Sequence, residues 1–166
     1  RRPERDLVIK QNTGGGKTVV GLLVAQSSLN DGVGPAAYVV PDTYLVEQVL
    51  DEARTLGLSV TTDARGDEFL SSAAILVCTF DKVVNGRTVF GLAGSPYTRT
   101  IGTIVIDDAH AALAAARKQF TINLHPGHPA YKKALEIFGE ELQRQSARNA
   151  LSLLEGERCA PLRIPF

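Results

Sequence analysis

The octapeptide QNTGGGKT at residues 11–18 constrains the fold of this chain more than any other stretch. Three consecutive glycines disfavour a helix, and a flexible linker does not need the Lys17–Thr18 pair that follows them. The apolar segment DLVIK (6–10) precedes the octapeptide, and the helical pattern KTVVGLLVAQSSL follows it. A strand, a glycine-rich loop and a helix in this order are typical of a phosphate-binding loop, or P-loop.

The P-loop interpretation assigns a function to each polar group of the loop. Backbone N–H groups would turn inward around phosphate oxygens, and the N-terminus of the helix would add its dipole. Lys17 would reach the β- and γ-phosphates of a nucleotide, and the Thr18 hydroxyl would bind Mg²⁺, which prefers oxygen ligands. The alternative is a glycine-rich turn with an accidental Lys-Thr pair, and Gln11 stands where the strict pattern has Gly or often Ala. The predicted cofactor-binding residues are Thr13, Gly14, Gly15, Gly16, Lys17 and Thr18.

Short apolar runs alternate with helical patterns along most of the chain. The runs predict strands at 6–10, 36–40, 58–61, 73–79 and 102–108. Several runs are apolar at consecutive positions, as expected when helices cover both faces of a parallel sheet. A helical stripe follows the second run, with Asp42 or Thr43 available to cap its start and Gly57 its end. We therefore predict an α/β fold with a doubly wound, mostly parallel sheet.

Two adjacent carboxylates and a histidine follow the last apolar run, in the segment TIVIDDAH. A carboxylate at the end of a buried strand lies at the carboxyl edge of the sheet, where the P-loop also lies. Asp107 could hold Mg²⁺ across from Thr18, and Asp108 could orient or deprotonate a hydrolytic water. The alternative is that both carboxylates cap the helix that follows them.

These motifs resemble those of a known family. NTGGGKT followed by IDDAH resembles motifs I and II of the superfamily 2 helicases, the DEAD/DEAH-box group, and the resemblance covers residues 6 to about 115. It implies a RecA-like lobe that binds ATP and Mg²⁺, with Thr18 and Asp107 at the metal. It also implies catalytic roles for Lys17, Asp108 and His110, the histidine coupling nucleotide state to nucleic-acid binding.

Two weaker segments extend the resemblance. VVPDTYLVEQV resembles motif Ia and VCTFDKVVNG resembles motif Ib, both of which contact the nucleic-acid backbone in the family. The hydroxyls of the two threonines are the candidates for phosphate contacts, although Thr at a helix start is often only a cap. The nucleic-acid-binding residues implied in this way are Pro41, Thr43, Thr79 and Phe80.

The resemblance also implies partners. We expect the chain to act on DNA or RNA and to work with a second RecA-like lobe that it does not contain and that supplies an arginine finger. Alone, the lobe should therefore hydrolyse ATP poorly. The family sequence is usually Asp-Glu-x-His, and here Asp108 replaces the Glu with a shorter side chain. The alternative function is a hydrolysis-deficient nucleic-acid-binding module with a helicase-like fold.

The last third of the chain differs from the rest. Tyr131, Leu135, Phe138 and Leu142 recur at helical spacing and predict one long amphipathic helix, or two. We assign residues 1–118 to the RecA-like ATP-binding lobe and 119–166 to a helical extension of the same lobe, which we expect to be truncated. The extension is expected to cover the sheet, with a partner-binding helix as the alternative.

Composition adds few constraints. Eighteen acidic residues balance eighteen basic ones, so the overall charge does not by itself indicate a nucleic-acid binder. Cys78 and Cys159 are isolated and do not form a disulfide or metal framework, and Cys78 is expected to be a buried thiol. No apolar run approaches membrane-spanning length. We expect a cytoplasmic ATP hydrolase with no membrane partner.

Overall fold

Four of the apolar runs form one parallel sheet. The strands are β1 (Ala36–Val40), β2 (Val60–Thr61), β3 (Ile75–Thr79) and β4 (Thr103–Ile106), in the spatial order β2, β3, β1, β4. The computed structural model describes residues 6–12, 14–85, 88, 90–91, 98–119, 121–160 and 162. It divides the chain into two compact units, residues 1–120 and 121–166, and the sheet belongs to the first.

Five helices in the described residues of the first unit flank the sheet. They are α1 (Lys17–Asn30), α2 (Thr43–Thr55), α3 (Asp67–Leu70), α4 (Phe80–Val83) and α5 (Ala109–Gln119). Alternate residues of β1 point to opposite faces, and all five are buried. Tyr38 packs with Leu22 of α1 and Val49 of α2, whereas Val39 packs in a second cluster with Phe69 and Ala112. Helices cover both faces, which confirms the predicted α/β fold with a parallel sheet.

The structure shows which of the two candidate residues, Asp42 or Thr43, caps the start of α2. The Asp42 carboxylate accepts a hydrogen bond from the Leu45 N–H at 3.1 Å, so Asp42 is the N-cap residue. Thr43 is the first helical residue and its side chain is exposed. At the other end, Gly57 adopts a φ of 69°, the left-handed conformation that commonly terminates helices.

The strand predicted at 6–10 is wrong. These residues have no regular secondary structure, and the side chain of Val8 is 92 % exposed. An apolar run becomes a strand only where a neighbour completes its hydrogen bonds, and no described strand pairs with this one. On the described part of the chain β4 also pairs on one side only, with β1, and leaves Ile104 and Ile106 nearly half exposed.

The other strands are shorter than predicted at their ends. The runs at 58–61, 73–79 and 102–108 contribute only Val60–Thr61, Ile75–Thr79 and Thr103–Ile106. At the end of β4 the chain turns because Asp108 takes a left-handed φ of 52°. Asp107 still donates its backbone N–H to the Val39 carbonyl at 2.8 Å, so the carboxylate follows the last ladder bond directly.

The second unit contains two helices, α6 (Pro129–Gln145) and α7 (Ala147–Glu155). Ser146 separates them, and its hydroxyl caps α7 by accepting the Asn149 N–H at 3.3 Å. Tyr131 donates its hydroxyl to the Leu153 carbonyl at 2.5 Å, and Leu142 is buried. The sequence allows one long helix or two in this segment, and two are present in the described residues. None of the helices in the described ranges combines the length and the apolarity that crossing a bilayer requires.

Both cysteines are free, and Cys78 is buried in β3 as predicted. Burial raises the pKa of the Cys78 thiol to about 11, although nearby Lys82 acts in the opposite direction. Cys78 is thus a packed, protonated side chain at neutral pH.

Close packing of α1 against the sheet depends on Gly21. A Cβ atom at this position would lie 2.6 Å from Cε2 of Tyr38 and 3.0 Å from Cγ1 of Val105. Neither atom is at the end of a flexible side chain, because an aromatic ring and a β-branched residue are both stiff. The absence of a side chain at 21 allows the helix to rest directly on the Tyr38 ring.

We expect Gly21→Ala to lower the free energy of unfolding by about 1–3 kcal/mol, because overpacking outweighs the gain in helix propensity. Gly139→Ala in α6 is the matched control, since its added Cβ meets nothing within 4 Å. The control should stabilise its helix by up to about 1 kcal/mol. Urea denaturation followed by circular dichroism measures both changes, and a Gly21→Ala protein as stable as the wild type would contradict the packing argument.

Candidate functional site

The parallel register brings three chain segments to one edge of the sheet. Val40 pairs with Thr79, and Val39 pairs with Ile106. The residues that follow these strands, Pro41, Phe80 and Asp107, therefore leave the sheet at the same carboxyl edge. In parallel α/β sheets this edge is where ligands bind.

The glycine loop ends in a helix start that no side chain caps. Gly14 and Gly16 have left-handed φ angles of 81° and 73°, which a residue with a Cβ rarely adopts. Gly16 is the N-cap residue of α1 and provides no side-chain hydrogen bond. The first N–H groups of α1 lack intrahelical acceptors by helix geometry, so they are free to bind an anion. Thr13, also predicted to belong to the phosphate site, lies outside the described residues.

Lys17 and Thr18 occupy the first turn of α1. The Lys17 side chain is exposed, and no ion pair connects it to any residue that the structure describes. Thr18 is half-buried, and its hydroxyl lies close enough to the Tyr38 hydroxyl to lower the pKa of that phenol. The Lys17 cation is thus available to a ligand.

Tyr38 connects the P-loop with the carboxylate edge. Its side chain is 1 % exposed, and its hydroxyl lies close enough to the Thr18 hydroxyl and to the Asp107 carboxylate for both to affect its pKa. Burial raises the pKa of Tyr38, and the negative charge of Asp107 raises it further, so the phenol stays protonated. Thr18 and Asp107, the two residues predicted to bind metal, therefore both lie near the Tyr38 hydroxyl.

These oxygen donors fit Mg²⁺ bound together with phosphate. Mg²⁺ usually takes one or two protein oxygens and completes its octahedron with water and substrate phosphates. Thr18 and Asp107 offer a hydroxyl and a carboxylate, both hard ligands. Within the described ranges no group of three or more His, Cys, Asp or Glu residues could hold an ion by itself. The donor set thus suits a metal that arrives with a nucleotide.

Asp108 caps α5 in this structure. Its carboxylate accepts the Ala111 N–H at 3.2 Å, and its carbonyl accepts the Ala112 N–H at 3.0 Å. The left-handed backbone of Asp108 is tolerated better by Asp than by most residues. Only Oδ1 takes part in the cap, which leaves the second carboxylate oxygen for another partner. His110 lies in the first turn of α5 with its ring exposed.

Neither of the two threonines proposed for nucleic-acid contact makes a side-chain cap hydrogen bond. Asp42 caps α2 in place of Thr43, and Thr79 precedes α4 without a side-chain cap hydrogen bond. Thr79 is the last residue of β3, and Thr43 lies three residues beyond the end of β1, so both are at the carboxyl edge. Pro41 is half-buried there, but the Phe80 side chain packs in the core at 9 % exposure. Any contact of Phe80 with nucleic acid would therefore come from its main chain.

The sequence reasoning missed two contributors to the site, Tyr38 and Gly21. The available signal was a phenol in the otherwise aliphatic strand AAYVV, since a buried tyrosine hydroxyl needs a polar partner. Gly21 stands in the middle of a helix, where glycine usually has a packing reason. Neither signal identifies the partner without the fold.

Gln11 carries a buried carbonyl oxygen, Oε1, that has no hydrogen-bond partner among the residues that the structure describes. Gln11 precedes the glycine loop. Its Cβ atom is 3.7 Å from the position that a Cβ added at Gly15 would take. A small residue at position 11 would leave no such group, which agrees with the Gly or Ala of the strict P-loop pattern. The substitution therefore carries a local energetic cost.

Comparison with known protein families gives a match over most of the chain. The family described as DEAD/DEAH box helicase matches residues 2–127, which is more than half of the chain. The matched range contains the glycine loop, Tyr38 and the carboxylates at 107 and 108. No curated protein and no solved structure matches the chain.

We expect Gln11→Ala to raise the free energy of unfolding by about 1 kcal/mol, because it removes a buried acceptor without a partner. Gln48→Ala is the control, since Gln48 lies exposed on α2. The control should change stability by no more than about 0.5 kcal/mol. Urea denaturation of the three proteins without nucleotide measures the difference, and a destabilised Gln11→Ala protein would show that the amide has a partner.

Proposed function

Because the chain belongs to the DEAD/DEAH box helicase family, we propose that its first unit is the ATP-binding lobe of an ATP-dependent nucleic-acid helicase or translocase. The observation that carries this proposal is that Thr18 and Asp107 both lie near the Tyr38 hydroxyl, beside the uncapped start of α1. This proximity supports a phosphate site with a metal site next to it. The parallel, RecA-like α/β arrangement is consistent with this function.

In the proposed complex, the N–H groups of the glycine loop and of the first turn of α1 bind the phosphates of ATP. Lys17 adds a mobile positive charge near the β- and γ-phosphates. Thr18 and Asp107 hold Mg²⁺, which neutralises charge on the phosphate oxygens when it is bound. Asp108 orients the attacking water through the carboxylate oxygen that the cap does not use.

The nucleic-acid strand is proposed to cross the same carboxyl edge of the sheet. Thr43 and Thr79 would donate hydroxyl hydrogen bonds to phosphate oxygens, which position a strand without reading its sequence. The half-buried Pro41 would shape the surface between the two threonines. His110 would couple this surface to the nucleotide, because it lies two residues after Asp108 in the chain. A second lobe would close over both ligands and supply the arginine finger.

A second candidate function is a nucleic-acid-binding module that keeps the nucleotide site without turnover. The cap that Asp108 makes with Ala111 favours this candidate, because it commits one carboxylate oxygen to the helix. The side chain is also one methylene shorter than the Glu of the family. A misplacement of about 1 Å can lower a rate by about two orders of magnitude.

We expect Lys17→Ala to weaken Mg-ATP binding by about 10- to 100-fold, because it removes a charge-assisted hydrogen bond to phosphate. Titration calorimetry of the chain measures the affinity, and circular dichroism checks the fold. Lys133→Ala, a change at an exposed lysine of α6, is the matched control and should bind normally. Equal affinity of the Lys17→Ala and wild-type proteins would refute the P-loop assignment.

Asp108→Asn separates capping from catalysis, because Asn caps a helix about as well as Asp but cannot act as a base. In a protein that carries both lobes, we expect this change to lower ATP turnover by about 100-fold or more and to leave ATP affinity nearly unchanged. Phosphate release under steady-state conditions measures the rate. Full turnover in Asp108→Asn would show that the carboxylate only caps α5. Binding of ATP without turnover in the wild type would favour the second candidate.

A further inference from the structure

We propose that Gln11 is a positioning residue that biases the glycine loop towards opening for phosphate, because its buried amide oxygen destabilises the closed form of the loop. This inference rests on the nucleotide site proposed above and deepens it. The strict P-loop pattern, with Gly or Ala at this position, contains no amide and assigns no such role to Gln11.

The glycine loop is closed on itself in this structure. The Gly15 N–H donates a hydrogen bond to the Asn12 carbonyl at 3.1 Å, which forms a tight turn. A Cβ added at Gly15 would lie 3.0 Å from the same carbonyl oxygen, so the turn leaves little room for a side chain. The N–H of Gly15 is therefore committed to the protein, and the turn must open before this group can donate to a phosphate oxygen.

Gln11 lies against this turn, and its amide is costly there. Its Cβ is 3.7 Å from the position that a Cβ added at Gly15 would take. The side chain as a whole is half-buried, but Oε1 is buried and accepts no hydrogen bond from the residues that the structure describes. A buried acceptor without a donor has lost its bonds to water and gained none from the protein. The amide oxygen therefore raises the free energy of the closed loop.

The neighbouring glycines allow the turn to open easily. Gly14 and Gly16 have left-handed φ angles, and a Cβ added at either position would meet nothing within 4 Å. Both lack the steric limits that a side chain imposes on the backbone. In the proposed mechanism, opening directs the Gly15 N–H towards the ligand and exposes Oε1 of Gln11 to a donor. Only the nucleotide-free protein then carries the cost of the unpaired oxygen.

A residue that destabilises only the nucleotide-free form strengthens nucleotide binding by the same factor. Removing the amide of Gln11 should therefore have two opposite effects. The nucleotide-free protein becomes more stable, and its affinity for nucleotide falls. A residue that is merely unfavourable in the fold behaves differently, because its removal stabilises the free and bound proteins equally and leaves the affinity unchanged.

The test compares Gln11→Ala and Gln11→Met with the wild type in binding fluorescent ADP with Mg²⁺. Both substitutions remove the amide, and Met retains most of the side-chain volume. We expect both to weaken binding about fivefold, the effect of one unpaired buried acceptor. Urea denaturation provides a second measurement. The variant midpoints should exceed that of the wild type without nucleotide, and all three should coincide in the same saturating excess of Mg-ADP.

Gln48→Ala is the matched control, because Gln48 lies exposed on α2, and it should leave ADP affinity unchanged. Unchanged affinity in both Gln11 variants, with an added stability that persists in Mg-ADP, would overturn the positioning role and leave the nucleotide site intact. Weaker binding in Gln11→Ala alone would assign the effect to side-chain volume and would also overturn it. Failure of the wild type to bind any nucleotide would overturn both proposals.

Discussion

The pairing of β1 with a parallel neighbour on each side is the constraint on which the rest of the first unit depends. It aligns the ends of three strands, so that the segments after Val40, Thr79 and Ile106 meet at one edge. A shift of β1 by one residue would turn every side chain of the strand to the opposite face. Tyr38 would then point into the cluster around Phe69 and away from α1. The register therefore determines both which residues pack together and which reach the site.

Packing and chemistry are joined at Tyr38. Burying a hydroxyl is costly away from polar groups, and the Tyr38 hydroxyl lies near Thr18 and Asp107. Two residues predicted to bind Mg²⁺ thus also border a polar group of the core. The absence of a side chain at Gly21 makes the arrangement possible, because it allows α1 to approach the ring. Stability of the core and orientation of the site consequently share the same contacts.

Local signals in the sequence predicted much of this arrangement. The glycines before Lys17 and the carboxylate at 42 mark the starts of α1 and α2, and the apolar runs mark all four strands. The prediction at 6–10 failed because an apolar run does not reveal whether a neighbouring strand is present. The link from Thr18 through Tyr38 to Asp107 joins residues far apart in the chain, so only the fold reveals it. The left-handed turn at Asp108 is likewise set by tertiary context. Capping of α5 by the Asp108 carboxylate was one of the two interpretations that the sequence allowed.

The free side of β4 has a practical consequence for handling this chain. On that side no described strand satisfies the backbone donors and acceptors, and Ile104 and Ile106 add apolar surface. An edge of this kind, without a charged side chain or a proline within the strand, favours pairing with another chain. Solutions of the chain should therefore become increasingly prone to intermolecular β-sheet formation as concentration rises. A lysine introduced in place of Ile104 would be the simplest way to discourage such aggregation.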